Sequence, residues 1–245
     1  MTVFDYALDA PTTQNMGLVV LQTDETLEQD FRRMLPLNVS LYASRVPSGA
    51  EVTRESLAAM EGHLRGAASL LPPAVAFDVV GYGCTSGTAQ IGADQIARRI
   101  KQGARTAEVT EPVSALIAAC HAMDIRSLAF LSPYVAEVSG HLRQVLADRK
   151  ISSPVFGSFD EGEEAKVAKI SARSIHEAAC DLARQRGADA IFLSCTNLRT
   201  LDVIEPLEAD TGLPVLSSNQ VLAWHMCQLA GQVQPAFGPG RLFRM

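Results

Sequence analysis

GLVVLQTDETLEQDFRRML, residues 17–35, passes from an apolar, β-branched run through a short polar turn into an amphipathic helical pattern. SLAFLSPYVAEVSGHLRQVL, residues 127–146, repeats that order, and each unit precedes a strand-like run ending in a cysteine, Cys84 or Cys195, by a similar distance. Strand-like runs recur at 17–22, 39–44, 76–83, 127–133, 190–195 and 214–218, separated by helical patterns at 52–71, 87–103, 135–149 and 163–187. Strands alternating with helices of this length predict βαβ units, hence an α/β chain of mainly parallel sheets flanked by helices. The repeat divides it into two pseudo-symmetric lobes, residues 1–112 and 113–216, with a C-terminal helix at about 217–230 packing back on the first. In parallel sheets the ligand crevice lies beyond the C-terminal strand ends, so Asp24, Cys84, Tyr134 and Cys195 are expected at a cleft between the lobes.

Composition narrows the function. A chain of 245 residues that is 47% hydrophobic and 20% charged can bury a real core. Its formal charge of -6, with no Lys/Arg cluster interleaved with aromatics, argues against nucleic acid as a partner. The N-terminal stretch, 1–17, carries acidic residues where a secretory leader would be basic, and no apolar run is long enough to span a membrane, so a cytoplasmic location is expected. Five cysteines without CxxC spacing argue against a disulfide framework and a zinc ribbon.

The two strand-end cysteines carry the chemistry. Cys84 is followed by Thr85, Ser86 and Gly87, and Cys195 by Thr196 and Asn197, each ahead of a helical pattern. Unsatisfied N–H groups at a helix start favour thiolate over thiol, and the neighbouring hydroxyls and amide can hold a carboxylate or developing enolate oxygen. A single strand-end cysteine would read as core filling. A matched pair reads as functional. Cys120, Cys180 and Cys227 lie within apolar helical patterns and read as structural. GYGCTSG (81–87) lacks both GK[ST] and the GxGxxG register, so it is not read as a nucleotide loop. His176 and Cys180 share an i, i+4 face, as metal ligands do, but no second pair appears and the face reads as solvated or partly packed; HMC (225–227) reads as packing.

GYGCTSGTAQIG (81–92) and LSCTNLRT (193–200) together resemble the aspartate/glutamate racemase superfamily, in the branch of maleate cis–trans isomerases and arylmalonate decarboxylases. GLVVLQTDETLEQDFRR (17–33) with LSCTNLRT is also similar to the racemase-like protein of bacterial ectoine utilisation. The resemblance implies two α/β lobes, an active site between them, no metal or organic cofactor, and a homo-oligomer. Cys84 and Cys195 match the family's paired catalytic cysteines, whereas arylmalonate decarboxylases use only the second. Tyr134, in SPYVAE, matches the maleate isomerases' tyrosine. Asp24 and Glu164 stand where those isomerases have asparagines, which disfavours a dianion and suits an ammonium group. The bland alternatives are an N-terminal cap for Asp24, in TDETLE, and a solvated helix start for Glu164, in DEGEEAK.

These residues imply a cofactor-independent racemase or isomerase acting on a small amino acid or carboxylate, such as a diaminobutyrate derived from ectoine. Cys84 and Cys195 would exchange the proton, with Asp24, Thr85, Ser86, Tyr134, Glu164, Thr196 and Asn197 binding substrate. Cis–trans isomerisation through a cysteine adduct and decarboxylation with protonation from Cys195 are the chemical alternatives. A small-ligand-binding protein without turnover is the alternative from another class.

Overall fold

The computed structural model describes residues 1–8, 14–231 and 233–245; the N-terminal stretch discussed above falls partly on 9–13, outside the described residues. The chain begins β1 (Gln14–Leu21), α1 (Leu27–Met34), β2 (Val39–Val46), α2 (Arg54–Ala59), α3 (Glu61–Ser69), β3 (Phe77–Gly83), α4 (Thr85–Ile91), α5 (Ala93–Gly103), β4 (Thr106–Thr110) and α6 (Pro112–Ala122). It continues β5 (Ser127–Ser132), α7 (Ala136–Asp148), β6 (Ser152–Ser158), α8 (Glu164–Val167), α9 (Ala172–Arg184), β7 (Ala190–Leu193), α10 (Leu201–Thr211), β8 (Val215–Ser217) and α11 (Ser218–Leu229). A short 3-10 turn, Arg241–Arg244, follows.

The strands form two sheets, ordered β2-β1-β3-β4 and β6-β5-β7-β8, and every pairing between them is parallel. The second sheet repeats the first strand for strand, the pseudo-symmetry expected from residues 17–35 and 127–146. Central strands β1, β3, β5 and β7 are buried on both faces, which is why they read as continuous apolar runs. β4 and β6 are absent from the strands expected above. Both are edge strands: TAEVT is largely exposed, and SSPVFGS alternates and carries Pro154, tolerated there because an edge strand can spare a donor.

The expected helix at 52–71 is broken at Met60 into α2 and α3, and that at 87–103 at Gly92, whose φ of 90° ends α4 before α5 begins. α11 returns to pack on β3, β4 and α6. Gly81 permits this approach, since a Cβ there would lie 2.5 Å from Met226 Sδ. One cluster of buried apolar side chains runs from β1 and β3 through Cys84, Tyr134 and Cys195 into β5 and β7. The C-terminal tail packs on the body: Ala236 N–H donates to the Met34 carbonyl at 2.8 Å, and Leu242 is buried. Among the described residues no helix is long and apolar enough to cross a membrane.

Candidate active site

Equivalent strand ends supply equivalent positions. Asp24 and Tyr134 follow the first strand of each sheet, β1 and β5, while Cys84 and Cys195 follow the third, β3 and β7. Cys84, Thr85, Ser86, Tyr134, Glu164, Cys195 and Thr196 line one cavity, closed further by Leu21, Val52 and Leu57. It offers about 10 Å³ to the centre of a water-sized sphere, room for roughly one water. Asp24 and Glu164 also line an outer cavity with Arg45 and Glu163.

Glu164 is 3% exposed, so the solvated reading of DEGEEAK does not hold for it. A clasp turns it inward: Val52 N–H donates to the Gly162 carbonyl and Glu164 N–H to the Ala50 carbonyl, each at 3.1 Å, around an antiparallel Glu51–Glu163 bridge. Glu164 Oε1 accepts from the Tyr134 hydroxyl at 2.8 Å, and Oε2 from Asn197 Nδ2 at 2.7 Å. The same Tyr134 oxygen lies 2.9 Å from Cys195 Sγ. Asp24 is a cap and more. Its Oδ1 accepts from the Thr26 and Leu27 amides at 2.8 Å, while Oδ2 is buried without a hydrogen-bond partner. The Thr196 hydroxyl donates to the Gly83 carbonyl at 3.2 Å and stands close enough to Asp24 to ease its burial.

Burial pushes both carboxyls upward, opposed at Asp24 by the two amides and at Glu164 by Asn197 and Tyr134. It also overturns the expected thiolates. Cys84 is the N-cap of α4 and accepts from the Gly87 amide at 3.1 Å, yet desolvation pushes its thiol up to about 12, with the Glu164 and Asp24 carboxylates adding to the rise. Cys195 is not at a helix start, because α10 begins only at Leu201. Its Sγ accepts from the Asn197 amide at 3.2 Å, and burial with Glu164 holds it well above the usual thiol range. The structural reason is uniform: one amide and one tyrosine hydroxyl beside each sulfur do not replace water, and the nearby charges have the wrong sign. Cys195 also holds φ at 134°, a strained backbone of the kind that concentrates at functional sites.

Several expected substrate ligands are committed elsewhere. The Thr85 hydroxyl donates to Ser218 Oγ at 2.8 Å, and the Asn197 side chain joins Glu164 to the Glu25 amide. Ser86 lines the cavity with its hydroxyl paired to no described residue.

A family model described as arylmalonate decarboxylase matches residues 90–243, more than half of the sequence. The chain belongs to the arylmalonate decarboxylase family. Among its curated relatives, maleate isomerase from Pseudomonas putida is 24% identical over 220 residues, covering 83% of this chain and 86% of that protein. The fold is shared with crystallised maleate isomerase Iso from Pseudomonas putida S16, with a TM-score of 0.83 at 22% identity over 94% of this chain and 98% of that one. It is shared too with a mutant maleate cis-trans isomerase from Nocardia farcinica carrying a covalently bound succinylcysteine intermediate, with a TM-score of 0.80 at 22% identity over 95% and 98% of the two chains.

Within this arylmalonate decarboxylase family member, sequence reasoning passed over two polar residues at the cysteines. Ser218 Oγ accepts both from Thr85 and from the Cys195 amide at 3.0 Å, joining the two cysteine loops. Its signal was SSNQ at the end of β8, a polar run between apolar segments at a strand end. Tyr82 is fully buried, donates to Met60 Sδ at 3.7 Å and lies close enough to Cys84 for the two groups to shift each other's proton affinity. Its place two residues before Cys84 puts both on one side of an extended chain. Gly87 leaves room for this arrangement, because a Cβ there would lie 2.7 Å from the Tyr82 hydroxyl oxygen and 2.9 Å from Cys84 Sγ.

Proposed function

We propose that this protein is a cofactor-independent racemase or isomerase in which Cys84 and Cys195 exchange an α-proton of a small amino acid bearing a free ammonium group. The observation that carries the reading is the buried, unpartnered Asp24 Oδ2 beside a second buried carboxylate, Glu164, in electrostatic reach of both thiols. Burial holds both thiols protonated, and those carboxylates add to it. A bound ammonium neutralises them, which lowers both thiol pKa values and creates the base only when substrate is present. A dianion such as maleate would act in the opposite sense.

In the reaction, one thiolate takes the α-proton and becomes a thiol. The electron pair delocalises into the substrate carboxylate as enolate-like charge, and the opposite cysteine gives its proton to the other face, becoming the thiolate. The two sulfurs exchange protonation states with each turnover. Ser86 Oγ offers the developing charge a hydrogen bond. N-acetylated 2,4-diaminobutyrates, the compounds expected from the ectoine resemblance, retain a carboxylate and one free amine and fit this charge pattern.

Maleate-type cis–trans isomerisation is the second reading, favoured by the Pseudomonas putida relative of that name. There Cys84 would add to an alkene carbon, the new single bond would rotate, and the adduct would collapse to release the thiolate. Proton NMR in D₂O separates the readings, using both enantiomers of 2,4-diaminobutyrate and its mono-N-acetyl forms, aspartate, glutamate and maleate, each repeated with Cys84→Ser and Cys195→Ser. Loss of an α-proton signal that requires both cysteines is expected. Conversion of maleate to fumarate would instead establish the second reading, and spectral perturbation of the protein without turnover would establish a binding protein.

A further inference from the structure

A larger surface cavity lies elsewhere and shares no lining residue with the cysteine cavity. It spans about 740 Å³ between α9 and α10 and is lined by His176, Glu177, Cys180, Asp181, Arg184 and Asp210, among others. The pairing of His176 with Cys180 was visible as an i, i+4 face; folding brings Asp210, from the last turn of α10, to the same place. One ligand atom from each of His176, Cys180 and Asp210 lies within 4.8 Å of the other two.

We infer that His176, Cys180 and Asp210 form a binding site for a single borderline-soft divalent metal ion such as zinc. The spacing is that of ligands. Cys180 Sγ lies 3.8 Å from His176 Nδ1, and a tetrahedral zinc with ordinary Zn–S and Zn–N bonds separates those atoms by roughly 3.6 Å. Asp210 Oδ2 pairs with His176 Nε2 at 3.0 Å, the ring nitrogen opposite the one facing Cys180; its side chain is 61% exposed, so it joins an ion held by one imidazole nitrogen and Cys180 Sγ by leaving that pair, within the 4.8 Å that separates the three ligand atoms. Thiolate, imidazole and carboxylate together suit zinc better than the hard, oxygen-seeking magnesium or calcium.

The local charges favour a cation. A divalent ion displaces the Cys180 thiol proton on binding, so its affinity rises with pH. Glu177 and Asp181 add negative charge to the cavity, although each is paired with an arginine, Arg173 and Arg184 respectively. The bound ion fastens α9 to α10. These helices follow the segments that carry Glu164 and Cys195, so the ion braces the frame of the site without entering it.

Titration of the purified chain with cobalt(II) tests the assignment through thiolate-to-cobalt charge-transfer absorption and the visible bands of tetrahedral cobalt, with zinc affinity measured by competition against a chromophoric chelator. One ion per chain is expected, together with a thermal midpoint that rises with zinc concentration. The bands should vanish in Cys180→Ser and His176→Gln and persist in Cys84→Ser and Cys195→Ser, with far-ultraviolet circular dichroism confirming that each variant folds. Asp210→Asn should weaken zinc by about tenfold or more. Absence of the charge-transfer band, its persistence in Cys180→Ser, its loss in a Cys84 or Cys195 variant alone, or unchanged affinity in Asp210→Asn would each overturn the site.

Discussion

The Tyr134 hydroxyl stands 2.9 Å from Cys195 Sγ while it donates to Glu164 Oε1 at 2.8 Å. A phenol has one proton, so with that proton on Glu164 the Cys195 S–H donates to the tyrosine oxygen. Moving one proton along each link converts thiol and carboxylate into thiolate and carboxylic acid without changing the charge of the group. Burial of Glu164 raises its proton affinity and helps it accept. In the proposed reaction Tyr134 relays a proton between Cys195 and Glu164.

Tyr134→Phe removes that relay while keeping the ring. The rate of α-proton exchange should fall by about 10²-fold or more, with KM little changed. A loss smaller than about threefold, on the same general acid–base scale, would exclude the relay. Steady-state exchange measured by NMR decides it.

Alkylation should run opposite to what a pair of resting thiolates would give. With Cys84 pushed up to about 12 and Cys195 higher than its usual range, iodoacetamide at neutral pH should modify half-buried Cys180 before either buried cysteine. Labelling of Cys84 should keep rising as pH is increased toward 11 on that basis, without a plateau near neutrality. Mass mapping of the alkylated peptides reads both outcomes.

Asp30 makes stability fall as pH rises. Its carboxyl is raised from 3.8 to about 6 by burial, despite a 2.7 Å hydrogen bond from Asn219 Nδ2. Because the folded value lies above the unfolded one, its contribution is complete below about pH 4 and is lost as pH climbs through about 6. The difference is about 3 kcal/mol. Asp30→Asn should leave the thermal midpoint at pH 4 nearly unchanged and raise it at pH 8 by roughly 5–10 °C, as read by calorimetry.

Ser218→Ala should separate support from contact. It strands the Cys195 amide and the Thr85 hydroxyl, a cost of about 1–3 kcal/mol in denaturant unfolding, with activity lost alongside. Ser86→Ala strands no described partner, so it should raise KM and leave unfolding unchanged. Equal effects of the two substitutions on stability would remove the distinction.

Central strands and cysteine positions were legible because their signals are local. β1, β3, β5 and β7 read as uninterrupted apolar runs because both faces are buried, and their ends carry Cys84, Tyr134 and Cys195 to one cavity and Asp24 to a second that shares Glu164 with it. Edge strands β4 and β6 were not, since exposure removes the apolar pattern. Asp24 was legible as a cap through Oδ1, but the burial of Oδ2 without a partner was not, because it depends on what remote segments bring over it.

The central strands, the duplicated half and the placing of two cysteines at matching strand ends followed from the sequence, because side-chain alternation and helix spacing act over a few residues. Protonation of the thiols, the commitment of Thr85, Thr196 and Asn197 to protein partners, and the junction at Ser218 were decided by tertiary structure. So was the arrival of Asp210 beside His176 and Cys180. Desolvation and hydrogen-bond satisfaction are set by what remote segments bring to a buried atom, and spacing along the chain does not encode them.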